Sequence, residues 1–236
     1  MSKPTSTLKA LFAVILLGLG LNTAQAQSDA ASKFPTKTIK LVVGFAPGGG
    51  TDSSARTIAM KMSELLGQTV VVENRAGAGG NIACEIIARA APDGYTIGLA
   101  NIGSLAVNPH VQGGTSYNTL KDFEMISGAV AFSNVLVVRA DNPIGNLAEF
   151  IKAGQNKDKP LFYGSAGIGS AGHLSGELFR MKAGMNTEHI NYKGGGPVMT
   201  DLLGGNIEAV FASAPTAVPL IKAGKLRALA VTGAQQ

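Results

Sequence analysis

Leu41-Val42-Val43-Gly44-Phe45-Ala46-Pro47-Gly48-Gly49-Gly50-Thr51-Asp52-Ser53 passes from a β-branched apolar run, through a glycine-rich loop, to the Thr/Asp/Ser cluster that typically starts a helix. Ile39 to Phe45 reads as the strand, and the periodic stretch Ser53 to Leu66, closed by Gly67, reads as the helix. Thr69 to Glu73 then reads as strand, Ile82 to Ala90 as helix, and Thr96 to Ala100 as strand after the turn Pro92-Asp93-Gly94. This β-α-β-α-β order predicts an α/β fold with a mostly parallel sheet covered by helices on both faces.

The pattern restarts further along. Strands are predicted at Val135 to Arg139, Leu161 to Gly164, His189 to Tyr192, Ala209 to Phe211 and Ala228 to Val231. Helical stretches at Asn146 to Lys152, Ala171 to Lys182, Pro197 to Leu203 and near Val218 to Lys222 separate them. Two similar units therefore follow one another, and the chain's 236 residues suffice for two modest domains.

The glycine loop has a counterpart in the second unit, Leu161-Phe162-Tyr163-Gly164-Ser165-Ala166-Gly167-Ile168-Gly169-Ser170. Both run from strand to helix start. Glycines let a ligand approach the backbone, and a helix N-terminus offers unpaired N–H groups with a partial positive charge, so the device suits anion capture. Two such loops on facing lobes could hold two carboxylates or both ends of one diacid. The alternative is that the glycines only make tight turns, with Ser170 as an ordinary N-cap. A third run, Gly77-Ala78-Gly79-Gly80-Asn81, also joins strand to helix and could face the same crevice. His173 falls in the first turn of the second helix, where it either touches ligand or packs on the loop.

Gly167 to Gly172 also satisfies G-x-G-x-x-G after a predicted strand, with Glu188 some twenty residues on, which is the sequence form of a dinucleotide enzyme. The motif sits late in the chain, no acid–base pair accompanies it, and the N-terminus points to export. No G-x-S-x-G, H-E-x-x-H or P-loop occurs, and His110, His173 and His189 lack metal-ligand spacing. No catalytic residue, metal or cofactor is therefore expected.

Lys3 and Lys9, the apolar run Ala10 to Leu21 and Ala24-Gln25-Ala26 form a signal peptide with cleavage expected after Ala26. About a dozen apolar residues fall short of the roughly 20 that span a bilayer. The net charge of +5 comes from scattered residues, unlike a nucleic-acid groove. The single cysteine, Cys84, lies in an Ala/Ile-rich helical stretch and is expected to be buried and inert.

Six motifs in order carry a family resemblance: Phe45 to Asp52, Glu73-Asn74-Arg75-Ala76-Gly77-Ala78-Gly79-Gly80, Asp93-Gly94-Tyr95-Thr96, Gly164 to Ser170 with His173-Leu174, Tyr192-Lys193-Gly194, and Ile221 to Thr232. Together they resemble the substrate-binding component of tripartite tricarboxylate transporters, the TctC or Bug family, over nearly all of the mature chain. The resemblance implies a two-lobed periplasmic binding protein, a type II-like Venus flytrap. It would capture a small carboxylate and deliver it to membrane permease subunits, as a monomer, without cofactor or nucleic acid. It implies lobes at residues 33–133 and 134–232 after a signal peptide at 1–26. Carried over by position, Ala46, Gly48, Gly49, Thr51 and Asp52 would bind from the first lobe, and Ser165, Gly169, Ser170 and His173 from the second. Asp52 beside a ligand carboxylate would either bind an amino or hydroxyl group or cap the helix.

Two departures stand out. Where members commonly carry an acid after the phenylalanine of the later strand, Phe211 is followed by Ala212. Members also continue beyond the position of Gln236 with a segment that completes the first lobe, so that lobe is expected to be incomplete, with apolar surface exposed.

Overall fold

A computed structural model describes residues 34–111 and 113–233, so the signal-peptide reading lies outside the described residues. Two sheets organise the chain. The first contains β1 (Ile39–Val43), β2 (Val70–Asn74) and β3 (Thr96–Leu99), all parallel, in the order β2-β1-β3. Side chains alternate across a strand, so β1 serves two helices. Ile39, Leu41 and Val43 pack with Val70 against Ala55 and Ala59 of α1 (Gly50–Leu66). On the opposite face, Ile87 of α2 (Asn81–Ala88) sits over Gly98, which pairs with Val42. α1 ends where Gly67 enters the left-handed region at φ 64° and its N–H donates to Ser63 O.

The second sheet has the order β6-β5-β7-β4-β8, from β4 (Asn134–Arg139), β5 (Leu161–Ser165), β6 (Thr187–Asn191), β7 (Ala209–Ser213) and β8 (Leu226–Val231). β5 runs parallel to β6 and β7, whereas β4 is antiparallel to β7 and β8. Its two faces again follow the period of two. Val135, Val137, Val210 and Ala212 pack on one face with Val198, Met199 and Leu202 of α6 (Gly195–Gly204) and Ala217 of α7 (Ala214–Lys222). Leu136, Val138, Ala209 and Phe211 pack on the other face with Phe150 of α4 (Leu147–Gly154) and Phe179 of α5 (Ala171–Ala183).

Between the sheets, Gly103–Val107 forms a π-helical segment leading into a short helix, α3 (Asn108–Val111). The sequence pattern assigned neither. The second sheet is mixed rather than mostly parallel, because the chain enters β4 from the loop end of the sheet. This reversal places Asn134, the first residue of β4, beside Ser213, the last of β7. The carboxyl ends of β1, β5 and β7 thus lie with the start of β4 around one crevice, the usual ligand position in open α/β sheets.

Candidate functional site

A cleft of about 700 Å³, counting the space open to solvent, lies between the sheets. Its first-lobe wall is Phe45, Gly49, Gly50 and Thr51, with Asn101 and Ile102 beside them. The second lobe contributes Ala166, Ser170, Ala171 and Gly172 from the β5–α5 loop, and Gly195 from the start of α6. Ser213 and Thr216 come from the β7–α7 junction, and Phe132 and Asn134 from the approach to β4. Val198, Met199, Val210 and Ala212 form an apolar floor. None of the described lining residues carries a charged side chain.

Three helices aim their first turns at this space. α1 has Gly49 at its N-cap and no side-chain cap; its first intrahelical bond runs from Ser53 N–H to Gly49 O, leaving the amides of the first turn open. α5 is capped by Ser170, whose Oγ accepts from His173 N–H at 3.3 Å. α6 starts after Gly194, again without a side-chain cap. At α7 the first turn contains Pro215, so this helix contributes hydroxyls instead: Ser213 Oγ and Thr216 Oγ1 are hydrogen-bonded at 2.8 Å. Positive helix ends and neutral donors without a lysine or arginine can hold an anion while leaving no fixed cation behind.

Of the residues singled out from sequence, Gly49, Thr51 and Ser170 line the cleft. Ala46, Gly48, Asp52, Ser165, Gly169 and His173 are not part of its wall. Asp52 is 3% exposed, and its carboxylate accepts from Gly48 N–H (3.0 Å), Arg56 Nε (3.0 Å) and Asn74 Nδ2 (2.9 Å). Burial alone would raise this carboxyl, but the hydrogen bonds from Arg56, Asn74 and Gly48 hold it below the usual carboxylate value. Asp52 does not cap α1, which has no side-chain cap; its carboxylate instead ties Gly48 of the loop to Arg56 and Asn74. In the second lobe Ser165 Oγ shares a 2.7 Å hydrogen bond with His189 Nε2 and accepts from Gly167 N–H at 3.3 Å. His173 turns back to the loop, its Nδ1 accepting from Gly169 N–H at 3.1 Å. Burial holds both imidazoles below their ordinary value, His189 at about 4, with repulsion between the two rings as a second cause at His189.

The glycines have a further use. A Cβ on Gly49 would lie 2.9 Å from the amide nitrogen of Gly195, and one on Gly194 would lie 2.8 Å from that of Ala46. At this seam Ala46 N–H donates to Lys193 O at 2.8 Å. A second seam joins the third glycine run to the second loop: a Cβ on Gly167 would lie 3.2 Å from Gly79 Cα, and one on Gly79 would run into Ile168 O. The lobes therefore meet backbone to backbone at these points; of the G-x-G-x-x-G glycines, Gly167 and Gly169 face the first lobe, while Gly172 lets α5 approach Phe211 of β7. Cys84 is buried, and burial pushes its thiol up, as an inert core thiol requires.

Sequence reasoning missed Asn101, Phe132, Asn134, Gly195, Ser213, Thr216 and the floor. Gly194-Gly195-Gly196 was the available signal, since it repeats the strand–glycine–helix form of the other loops.

Residues 54–236 match the model of the tripartite tricarboxylate transporter family receptor, TctC. A Cupriavidus necator protein described as a UPF0065 protein in the gbd 5′ region is 39% identical over 221 residues, covering 94% of this chain and 66% of the relative. Among solved structures, Rhodopseudomonas palustris Rpa4515 with adipate is 37% identical with a TM-score of 0.82, covering 86% of this chain and 68% of that one. MatC from Rhodopseudomonas palustris with bound malate is 30% identical with a TM-score of 0.80, covering 86% and 69%. The chain spans about two thirds of the length of the curated relatives it matches. The structural neighbours are periplasmic binding proteins rather than enzymes, and their fold has two lobes. With a family model covering most of its length and relatives above 30% identity on both counts, this chain belongs to the tripartite tricarboxylate transporter receptor family, TctC.

Proposed function

We propose that this chain is a periplasmic solute-binding protein that captures a small organic carboxylate in the cleft between its lobes and presents it to the membrane subunits of a tripartite tricarboxylate-type transporter. The observation that carries this reading is the convergence of the first turns of α1, α5 and α6 on a cleft without charged side chains. Open amides and positive helix ends stabilise a carboxylate there, and a seated anion offsets the like ends of three dipoles. The hydroxyls of Thr51, Ser170, Ser213 and Thr216 supply orientation. Gly49, Thr51 and Ser170 are assigned direct roles; Ala46, Gly48, Asp52, Ser165, Gly169 and His173 hold the two loops in shape around them.

Adipate and malate, named with two of the similar structures, are both diacids, which suits a cleft with amides on two sides. Export follows cleavage after Ala26, and the chain acts as a monomer. Native mass spectrometry of protein purified without refolding tests the reading together with calorimetric titration of adipate and malate. A copurified acid or one-to-one binding of either supports it. A copurified nucleotide, or binding of neutral solutes alone, overturns it.

A further inference from the structure

We propose that the turn Gly167 to Ser170 is a two-state latch between the lobes: when His173 takes up a proton, the Ile168–Gly169 peptide flips and its N–H passes from His173 to Asn108. Ser170 N–H donates to Gly167 O at 3.0 Å, and Gly169, the third residue of the turn, has φ 78° while Ile168 keeps a negative φ. That is a type II turn. Rotating its central peptide by about 180° gives a type I turn, and glycine at the third position accepts both forms. As the turn stands, the two ends of this peptide face different lobes. The Ile168 carbonyl oxygen meets Gly79 of the first lobe, and the Gly169 N–H donates to His173 Nδ1 of the second at 3.1 Å.

Asn108 of α3 supplies the second acceptor. It is 0% exposed and stands at the seam: a Cβ on Gly169 would run into its Oδ1, and one on Gly79 would lie 2.8 Å from its Nδ2. Nδ2 donates to Asn81 Oδ1 at 2.8 Å and has Ala78 O at 3.5 Å, which turns Oδ1 toward Gly169. Among the described residues that buried oxygen has no hydrogen-bond partner, a costly state that rotation of one peptide relieves.

The proton decides between the two forms. Neutral His173 accepts at Nδ1, whereas the imidazolium donates there, so it repels the Gly169 N–H and needs an acceptor of its own. The flip answers both needs, bringing Ile168 O to the new Nδ1–H and the Gly169 N–H to Asn108 Oδ1. Glu177, on the same helix as His173, favours the proton, and His189 of β6 stays neutral down to about pH 4. Tyr163 of β5 and Arg180 are both bonded to the Glu177 carboxylate. Burial holds His173 below its ordinary value of 6.5, so the change belongs to mild acid. The bond gained crosses the seam beside Ser170. Acid therefore fastens the lobes at the cleft wall, and by linkage fastened lobes raise the proton affinity of His173.

NMR titration and amide exchange of the ligand-free protein between pH 7.5 and pH 5 test the latch. In the native chain the side-chain amide of Asn108 should shift in step with the His173 ring, and Gly169 should stay protected throughout because its N–H has a second acceptor. His173→Asn, which leaves a neutral acceptor near the place of Nδ1, should hold Asn108 still at every pH. Asn108→Leu should leave Gly169 protected at neutral pH and lose about tenfold or more of that protection as His173 is protonated. An Asn108 amide that ignores the His173 titration overturns the latch, as does loss of Gly169 protection in the native chain; neither measurement needs the leucine variant to fold. Native protection in folded Asn108→Leu overturns the assignment to Asn108. The effect on binding rests on the carboxylate reading above. The ratio of adipate affinities, native to His173→Asn, should rise several-fold from pH 7.5 to pH 5.5, with adipate's own ionisation cancelling. A constant ratio overturns the coupling to the cleft. Silence from adipate in both proteins overturns the carboxylate reading, while exchange still judges the latch.

Discussion

Ser165 Oγ and His189 Nε2 share a 2.7 Å hydrogen bond at the base of the second glycine loop, with the His173 ring 4.3 Å from that of His189. A hydroxyl that anchors a loop is thus tied to an imidazole that the fold keeps neutral. Burial first, and His173 second, lower His189 to about 4, while Glu177 pulls weakly the other way. Between about 4 and 6.5 the unfolded chain takes up a proton that the folded chain refuses, so stability is full above this window and falls as pH drops through it. The loss is expected to reach up to about 3 kcal/mol. Urea midpoints measured from pH 7 to pH 4 should show this slope in the native chain, and His189→Gln should reduce it, leaving the part that His173 contributes. A variant with the native slope would assign the effect to other groups.

Gly49→Val tests the seam. Gly49 has φ −89° and ψ 169°, a conformation open to any residue, so backbone strain is not at issue. Its side chain would instead meet the amide of Gly195 across the lobes. Ligand affinity should fall about tenfold or more while the thermal midpoint barely moves, and small-angle scattering should report a larger radius of gyration. Native affinity in the folded variant would show that the seam is dispensable.

Asp52→Ala removes the acceptor that gathers Gly48, Arg56 and Asn74. Because the Gly48 amide and the Asn74 amide group lose a charged partner, stability should drop by about 2 to 3 kcal/mol, with faster amide exchange at Gly48. Unchanged exchange at Gly48 would mean that the loop keeps its shape without the carboxylate.

Ser170 separates capping from binding. Ser170→Ala loses the bond to His173 N–H and should cost about 1 kcal/mol. Ser170→Asp keeps a capping oxygen but puts a negative charge on the cleft wall, so stability should hold while carboxylate binding is lost. Calorimetry alongside chemical denaturation resolves the two, and retained binding by Ser170→Asp would remove Ser170 from the anion site.

Much of this architecture is legible in the sequence because alternation and glycine punctuation report directly on it. β1 and β5 are placed correctly, though β1 ends at Val43 rather than Phe45, since a short apolar run ending in glycine, β-branched in β1 and aromatic in β5, has few other solutions. α1 starts at Gly50 rather than Ser53 because glycines read as loop although nothing prevents them from taking helical angles at an N-terminus. The antiparallel course of β4 leaves no trace in its composition, as Val135 to Val138 would suit either direction. For the same reason the floor was not legible: Val198 and Val210 look like any helix and strand interior, and only the pairing order β5-β7-β4 brings them under the loops. The π-helical turn at Gly103–Val107 carries a pattern that no simple period describes.

The two glycine seams have a thermodynamic consequence. Ordinary interfaces immobilise side chains as they form, at up to about 2 kcal/mol of lost rotamer freedom for the longest ones. Where Gly49 meets Gly195, and Gly167 meets Gly79, there are no rotamers to lose. Joining the lobes at these points is nearly free of conformational entropy, and parting them recovers almost none. What holds the seams together is therefore enthalpic, the backbone contacts themselves and the hydrogen bond from Ala46 N–H to Lys193 O.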